Sequence, residues 1–511
     1  MTMGAQIQPS EEAGTGLRDS IISGIVWKSV NQMLLLAVQL GVMVVLARLL
    51  TPRDYGLVGM VTAITGFAAI FVDLGLTTAI IQKQDTTQVE MSTAFWTNNG
   101  MGILVFVVVW FLASPIARFY EEPSLIWITR CIGCVFILTP LSSVHNALLM
   151  KSLRFRSVVL INSTALLVSS VAAITSAFIG LGYWSLLIQP IVMGFVNAVL
   201  LWLIVGWVPS LAFSGRVLKG FMGFSGYLSL NQAVGYWSRN IDKLMIGRLA
   251  GTISLGLYSR AYILMLMPLQ QVSNVVDSVL FPAYAKIQNN RREIAQIYLK
   301  AMRLTALVTF PISFGLWAIS EPAVLVVFGS KWYDAVPILQ VLCPLGAVQS
   351  ILSLNGSIYL SQGNTRRALV VTSCVTLGTS IAFYLGYWAA GMTGMVWAYF
   401  IFCLMAAPFI YLSAASLIQL TLLDLLRNLR GLAEATVSML LVVLCLRFLV
   451  DSSGCLMQLS VLVTGGFVAY LIALHLLRVK AYREAVRLVR LKLLGALREP
   501  QTREGGTLGS V

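Results

Sequence analysis

Long apolar runs follow one another along almost the whole chain, and each is long enough to cross a bilayer as a helix. A spanning helix needs roughly 20 apolar residues, because each residue adds about 1.5 Å and the hydrocarbon core is about 30 Å thick. Backbone polar groups in lipid must be paired within the protein, so helices are the expected spanning structure. The chain is therefore predicted to be an all-α polytopic membrane protein. We place about fourteen transmembrane helices at 21–47, 56–81, 92–114, 124–148, 157–179, 183–207, 219–247, 253–281, 298–327, 335–360, 366–388, 391–416, 432–450 and 457–478.

The shortage of charge supports this prediction. Only 11% of the 511 residues are charged, against about 25% in soluble domains. This composition excludes a soluble enzyme, a disordered chain and a secreted disulfide scaffold. Residues 1–20 contain no apolar stretch of the kind that a secretory signal peptide requires. No loop between the predicted spans is long enough for a soluble catalytic domain, so we expect a protein that is not an enzyme.

The residues that bind metals and cofactors are sparse. The seven cysteines lie mostly inside apolar runs and are interpreted as small buried side chains. Cys131 and Cys134 form a lone CxxC, and His145 and His475 are the only histidines. This inventory predicts no zinc, haem or other cofactor. The chain also contains no GxxxxGK[ST] nucleotide-binding motif.

The net charge of +15 is explained by the membrane, so no nucleic-acid partner is expected. If the N-terminus is cytoplasmic, the inner segments hold fifteen Lys and Arg before the C-terminal tail, against six in the outer segments. Cytoplasmic loops carry the excess of positive charge, so both termini are predicted to be cytoplasmic. Residues 479–511 form a basic tail that we interpret as an amphipathic anchor on the lipid surface. Recruitment of a cytoplasmic partner is the alternative.

The chain matches itself at an offset of about 200 residues. The matching pairs include 27–32 with 227–232, Arg48 with Arg248, Gly56 with Gly256, and 181–184 with 385–388. Two parallel six-helix repeats are typical of transporters that rock two halves around a central site. The predicted divisions are an N-terminal tail (1–20), an N-lobe with helices 1–6 (21–215), a C-lobe with helices 7–12 (216–420), helices 13–14 (421–478) and the basic tail (479–511).

Helices 1 and 7, which the repeat pairs, carry polar residues that are costly in lipid. We expect them to line a basic central cavity for a ligand with phosphates and hydroxyls, since Arg and Lys bind phosphate oxygens. The predicted substrate-binding residues are Arg239, Lys243, Asn240, Gln232, Tyr236, Lys28, Asn31, Gln32, Arg48 and Arg248. Pairing with Asp242 or snorkelling is the alternative for Arg239 and Lys243, and interfacial anchoring is the alternative for Arg48 and Arg248.

Three carboxylates in predicted spans are candidates for ion coupling, because a membrane carboxylate can bind a proton or Na⁺. They are Asp73, Asp242 and Asp277. Asp73 can equally cap a broken helix, since Gly75 follows it. Arg130, Arg303 and Arg447 have no repeat equivalent and are interpreted as structural.

Several segments resemble a known family. Residues 46–57 (LARLLTPRDYGL) resemble the LARLLxPxDYGL segment of polysaccharide transporters, the Wzx-type flippases of the MOP superfamily. Residues 240–247 (NIDKLMIG) are similar to their NxDxxxIG segment. Residues 257–262 (LYSRAY) and 279–282 (VLFP) resemble the colanic-acid exporter subgroup.

This resemblance implies a fourteen-helix bundle with two six-helix lobes. It implies a flippase that moves polyprenyl-pyrophosphate-linked oligosaccharides from the cytoplasmic to the periplasmic leaflet of a bacterial inner membrane, for exopolysaccharide, capsule or O-antigen synthesis. Alternating access driven by H⁺ or Na⁺ is implied as well. Membrane lipids, a polysaccharide polymerase and a chain-length regulator are the expected partners. A MATE-like multidrug or cation exporter is the alternative, which the basic stripe on helix 7 disfavours, and a membrane glycan polymerase or ligase is a third.

Overall fold

A computed structural model describes residues 35–73, 75–83, 85–288, 290–451, 453–480 and 482–484. Within 215–286 the backbone is described throughout, but the side chains of 220–231, 234, 274–275, 277–279, 281–282 and 285 are not. The chain divides into two compact units between Gly256 and Leu257. They are called unit 1 and unit 2. The lobe boundary at 215/216, which follows the sequence repeat, stays a prediction.

Helices account for nearly all of the described part of unit 1. They are α1 (Leu35–Leu49), α2 (Pro52–Asp73), α3 (Leu76–Gln82), α4 (Gln88–Tyr120), α5 (Leu125–Gly133), α6 (Val135–Lys151), α7 (Phe155–Phe178), α8 (Trp184–Val205) and the first part of α9 (Gly215–Lys286). The α9 helix is broken at Gly251, whose φ of 84° and ψ of −177° are not helical. Glycine adopts a positive φ without steric cost, so the break falls where the sequence allows it.

Unit 2 continues in the same manner. Its helices are the rest of α9, α10 (Arg291–Ala318), α11 (Ser320–Val327), α12 (Ala335–Leu352), α13 (Asn355–Ser361), α14 (Thr365–Ala415), α15 (Leu422–Val450) and α16 (Cys455–Leu476). The α14 helix is kinked at Ala390 and Gly391. Thr421 begins α15 with a capping box, in which its hydroxyl accepts from the Asp424 amide while the Asp424 carboxylate accepts from the Thr421 amide.

The described residues contain eleven helices that are long and apolar enough to cross a membrane. The prediction of an all-helical polytopic membrane protein is therefore confirmed. The count of fourteen stays a prediction, because the breaks at Gly251 and Gly391 each interrupt one continuous helical stretch. The first predicted span is also only partly within the described residues.

A loop at 206–214 joins α8 to α9 and is fastened to the start of α4. Gln88 donates to the Val208 carbonyl at 2.8 Å and accepts from the Trp207 indole at 2.7 Å. The Trp96 indole donates to the Ser210 carbonyl at 2.8 Å, and the Ser210 amide donates to Ser92 Oγ at 2.9 Å. The 206–214 loop is thereby held in one position along α4.

Two glycines in unit 1 make reciprocal close contacts. A Cβ on Gly56 would overlap the carbonyl oxygen of Thr252, and a Cβ on Gly256 would overlap the carbonyl oxygen of Pro52. The sequence repeat pairs these same positions, 52 with 252 and 56 with 256. Each of the two helices, α2 and α9, contributes one glycine and one backbone carbonyl to the contact. This reciprocal arrangement is the pattern that two-fold symmetry produces. The contact therefore supports the interpretation of the chain as a repeat.

Unit 2 is held by buried tyrosines that bridge its helices. Tyr298 of α10 is fully buried and donates to Asn355 Oδ1 of α13, whose amide nitrogen donates to the Ile410 carbonyl of α14 at 3.1 Å. Tyr470 of α16 donates to the Leu307 carbonyl of α10 at 3.0 Å. Buried hydroxyls and amides need such partners, so these bonds fix the order in which the helices pack.

Candidate functional site

The predicted basic stripe lies on α9 just before the break at Gly251, and its described side chains begin at Gln232. Gln232 and Arg239 are exposed. The Arg239 guanidinium folds back along its own helix, with Nη1 3.4 Å from the position that a Cβ on Gly235 would occupy. Gly235 therefore leaves room for the guanidinium at the exposed helix surface, where it can meet an anion.

Tyr236 has a packing role that the sequence did not reveal. Its hydroxyl donates to the carbonyl oxygens of Thr62 and Ala63 in α2, at 3.0 Å each. Its ring occupies space left by Gly66, where a Cβ would overlap the hydroxyl. The hydroxyl is thus engaged within unit 1 in this conformation. A contact between Tyr236 and substrate stays a prediction.

Asn240 and Lys243 form a connected polar pair one turn further along α9. Lys243 Nζ donates to Asn240 Oδ1 at 2.9 Å, and the Asn240 amide nitrogen donates to the Tyr236 carbonyl at 2.9 Å. Lys243 is half-buried, while the side chain of Asp242 is buried. The structure therefore brings Tyr236, Asn240 and Lys243 together as neighbours on one helix face.

Arg48 and Arg248 lie near the ends of their helical segments, and both are exposed. Arg248 pairs with Glu121 at 2.8 Å, and its guanidinium lies 5.8 Å from the Phe119 ring centroid. An exposed pair of this kind contributes about 0–1 kcal/mol. The structure therefore shows Arg248 in an ion pair near the end of its helical segment. A role of Arg248 in substrate binding stays a prediction.

Asp73 lies at the break between α2 and α3. Its Oδ1 accepts from the amide and hydroxyl of Thr77 and, at 2.9 Å, from the amide nitrogen of Asn98 on α4. Gly75 has a φ of 75°, which allows the sharp turn. The helix-capping alternative for Asp73 is therefore what the structure shows. Asn98 is buried and was not identified from the sequence, although an asparagine inside an apolar run is a usable signal.

Four of the predicted site residues lie where little is described. Lys28, Asn31 and Gln32 lie outside the described residues, and so does the side chain of Asp277. Their predicted roles in the cavity and in ion coupling stay predictions. Most of the basic tail also lies outside the described residues, which include only Val479, Lys480, Tyr482, Arg483 and Glu484 of it.

Two membrane arginines in unit 2 have carboxylate partners. Arg303 pairs with Glu484 at 3.5 Å, and Arg447 pairs with Glu321 at 2.8 Å. Removing one member of a partly buried pair leaves the other charge without compensation. These pairs fit the structural interpretation of both arginines. Neither partner was identified from the sequence, because each lies far away in the chain.

Comparison with solved structures defines the class of protein. The fold resembles that of "Lipid II flippase MurJ, inward closed conformation", with a TM-score of 0.73, 14% identity, and coverage of 90% of this chain and 100% of that one. It also resembles an inward-facing multidrug resistance MATE family transporter of the MOP superfamily, with a TM-score of 0.62, 16% identity, and coverage of 78% and 98%. At these identities the likeness establishes the fold alone. The protein is thus a polytopic membrane protein with the fold of these flippases and transporters.

The sequence comparisons identify the family. The family described as polysaccharide biosynthesis protein matches residues 45–337, and the chain belongs to it. One relative is the teichuronic acid biosynthesis protein TuaB of Bacillus subtilis (strain 168), 28% identical over 381 residues, or 74% of this chain and 79% of TuaB. Another is the lipopolysaccharide biosynthesis protein WzxC of Escherichia coli (strain K12), 28% identical over 352 residues, or 68% and 71%. The resemblance to Wzx-type polysaccharide transporters of the MOP superfamily is confirmed.

Proposed function

We propose that the protein is a flippase that moves polyprenyl-pyrophosphate-linked oligosaccharides across the bacterial inner membrane for polysaccharide synthesis. The observation that carries this proposal is the family match over 45–337. It is supported by relatives named for teichuronic acid and lipopolysaccharide biosynthesis. We propose that it acts as a transporter and not as an enzyme, with both termini in the cytoplasm.

The chemistry of the α9 stripe fits this substrate. A pyrophosphate needs cationic donors, and hydroxyls of the glycan need amides and other neutral donors. Arg239 and Gln232 are exposed, and Lys243 is held beside Asn240. Arg239 is the residue most able to reach a phosphate, because its guanidinium rests over Gly235 without a carboxylate partner within 4 Å among the described residues. We therefore assign it the pyrophosphate.

The proposed cycle is alternating access biased by an H⁺ or Na⁺ gradient, as in other transporters built from repeats. Asp242 and Asp277 are the carboxylates proposed to bind the ion. For Asp73 the cap on α3 already accounts for the carboxylate, so its coupling role is proposed as secondary. A polysaccharide polymerase and a chain-length regulator are the proposed partners.

The test is a flipping assay with purified protein in liposomes that contain a fluorescent polyprenyl-pyrophosphate oligosaccharide. An impermeant quencher reports how fast label leaves the inner leaflet. Arg239→Ala removes a charge-assisted contact worth about 1.5–3 kcal/mol. If that contact is made at the rate-limiting step, flipping should slow about tenfold or more.

Arg154→Ala is the matched control, because Arg154 is an exposed arginine of unit 1 at the start of α7 and is not one of the predicted substrate-binding residues. It should flip at the wild-type rate. Equal rates in Arg239→Ala and wild type would remove Arg239 from the substrate path. If wild-type protein failed to accelerate flipping with either an H⁺ or a Na⁺ gradient, but exported a lipophilic cation, the flippase proposal would fail in favour of a MATE-like exporter.

A further inference from the structure

Arg130 lies between two tryptophans on the surface of unit 1. Its guanidinium carbon is 4.7 Å from the Trp110 ring centroid and 5.2 Å from the Trp127 ring centroid. Trp127 and Arg130 are three residues apart on α5, so their side chains are neighbours on one helix face. Trp110 comes from α4. The two helices together build a cation–π cradle around one charge.

The part of the chain that the structure describes supplies no counter-ion to the charge in this cradle. Among the described residues no carboxylate lies within 4 Å of Arg130, and its buried Nε has no hydrogen-bond partner. By contrast, the other structural arginines, Arg303 and Arg447, each have a carboxylate. A guanidinium on an apolar surface is costly without an anion. The Nη atoms of Arg130, for which the described residues supply no hydrogen-bond partner, therefore leave donor capacity for a group from outside the protein, whereas the buried Nε is out of reach.

The surroundings indicate where that group comes from. Trp110 and Trp127 are 38% and 59% exposed, and the neighbouring Phe111 is 74% exposed. Such an apolar surface on a polytopic membrane protein faces lipid. Arg130 follows the start of α5 by five residues, or about 7.5 Å along the helix. Tryptophans gather near the ends of membrane helices, where acyl chains meet headgroups.

We propose that the Arg130 cradle is a binding site for the headgroup of an anionic phospholipid, with the phosphodiester on the guanidinium and the acyl chains against Trp110 and Trp127. A single guanidinium matches the single negative charge of a phosphodiester. A pyrophosphate carries more charge and would require further cations, and the cradle itself supplies only Arg130. The site is built from α4 and α5 and shares no residue with the α9 stripe, and the proposal does not depend on the flippase function.

The experiment is native mass spectrometry of the full chain in detergent, titrated separately with phosphatidylglycerol, phosphatidylcholine and polyprenyl phosphate. Wild-type protein should bind one phosphatidylglycerol more tightly than phosphatidylcholine. Arg130→Gln should weaken that binding about fivefold, since a basic residue near an anionic lipid surface contributes about 1 kcal/mol. Trp127→Leu should weaken it as well, and its exposed position makes it the variant that should fold if Arg130→Gln does not.

Arg118→Gln is the matched control, because this exposed arginine near the end of α4 has no tryptophan cradle in the described structure. It should bind phosphatidylglycerol as the wild type does. Unchanged phosphatidylglycerol affinity in both Arg130→Gln and Trp127→Leu would overturn the proposal. Loss of polyprenyl phosphate binding alone in those variants would also overturn it, because the ligand would then be the carrier lipid.

Discussion

The reciprocal glycine contact in unit 1 predicts an unusual pattern of stability. Gly56→Ala places a methyl group against the Thr252 carbonyl, and Gly256→Ala places one against the Pro52 carbonyl. Both obstacles are backbone atoms, which cannot rotate away as a side chain would. Each substitution should therefore force the two backbones apart.

The magnitude follows from the cost of overpacking. Extra methyl groups in a packed core cost about 1–3 kcal/mol, so each single variant should lose about 2 kcal/mol of unfolding free energy. One outward shift of the two segments relieves both clashes. The double variant should therefore lose about 2–3 kcal/mol instead of the additive value of about 4 kcal/mol. The coupling energy is then about 1–2 kcal/mol, within the range for residues in contact.

The assay is reversible unfolding in mixed micelles with increasing dodecyl sulfate, followed by tryptophan fluorescence. Gly100→Ala is the control, since a Cβ at this helical position meets nothing within 4 Å. It should leave stability unchanged or slightly raised, because alanine favours the helix by up to about 1 kcal/mol. Losses that add fully in the double variant would refute the reasoning, because they would show two independent contacts.

Three further substitutions test particular contacts, the first two by the same unfolding measurement and the third by limited proteolysis. Tyr236→Phe removes the hydroxyl that donates to two α2 carbonyls and should cost about 0.5–1.5 kcal/mol; an unchanged midpoint would show that the bond contributes nothing. Gly391→Ala should cost about 1–3 kcal/mol from backbone strain alone, since φ is 58° and ψ is −139°, and a neutral result would mean that the kink relaxes. Trp207→Phe removes the indole bond to Gln88 and should speed proteolysis of the 206–214 loop several-fold, whereas equal cleavage would show that the other bonds suffice.

Much of the helical fold could be predicted from the sequence, because the thickness of a bilayer sets the length of an apolar run. The predicted span 157–179 corresponds to α7 (Phe155–Phe178), and 183–207 corresponds to α8 (Trp184–Val205). The predicted span 56–81 ran through the break after Asp73, although Gly75 had indicated a broken helix capped by Asp73 as the alternative. The repeat could be read from matched positions such as Gly56 and Gly256, and the contact between them supports it.

The partners of the polar residues could not be predicted in the same way. The periodicity of polar residues along one helix predicts which side chains share a face. It does not predict which distant group contacts those side chains. Arg248 pairs with Glu121, and Tyr236 bonds to carbonyls of α2. Both contacts join residues more than a hundred positions apart. The polar stripe was therefore visible in the sequence, while the engagement of Tyr236 within unit 1 was not.

The 206–214 loop bears on how the protein is made. Every side-chain hydrogen bond described for it joins residues between Gln88 and Ser214, and all of these residues leave the ribosome before α9 is synthesised. Chains fold from the N-terminus as they emerge. The loop can therefore pack on α4 while the second half of the protein is still being translated. The point at which α9 enters the membrane would then be set by structure that already exists.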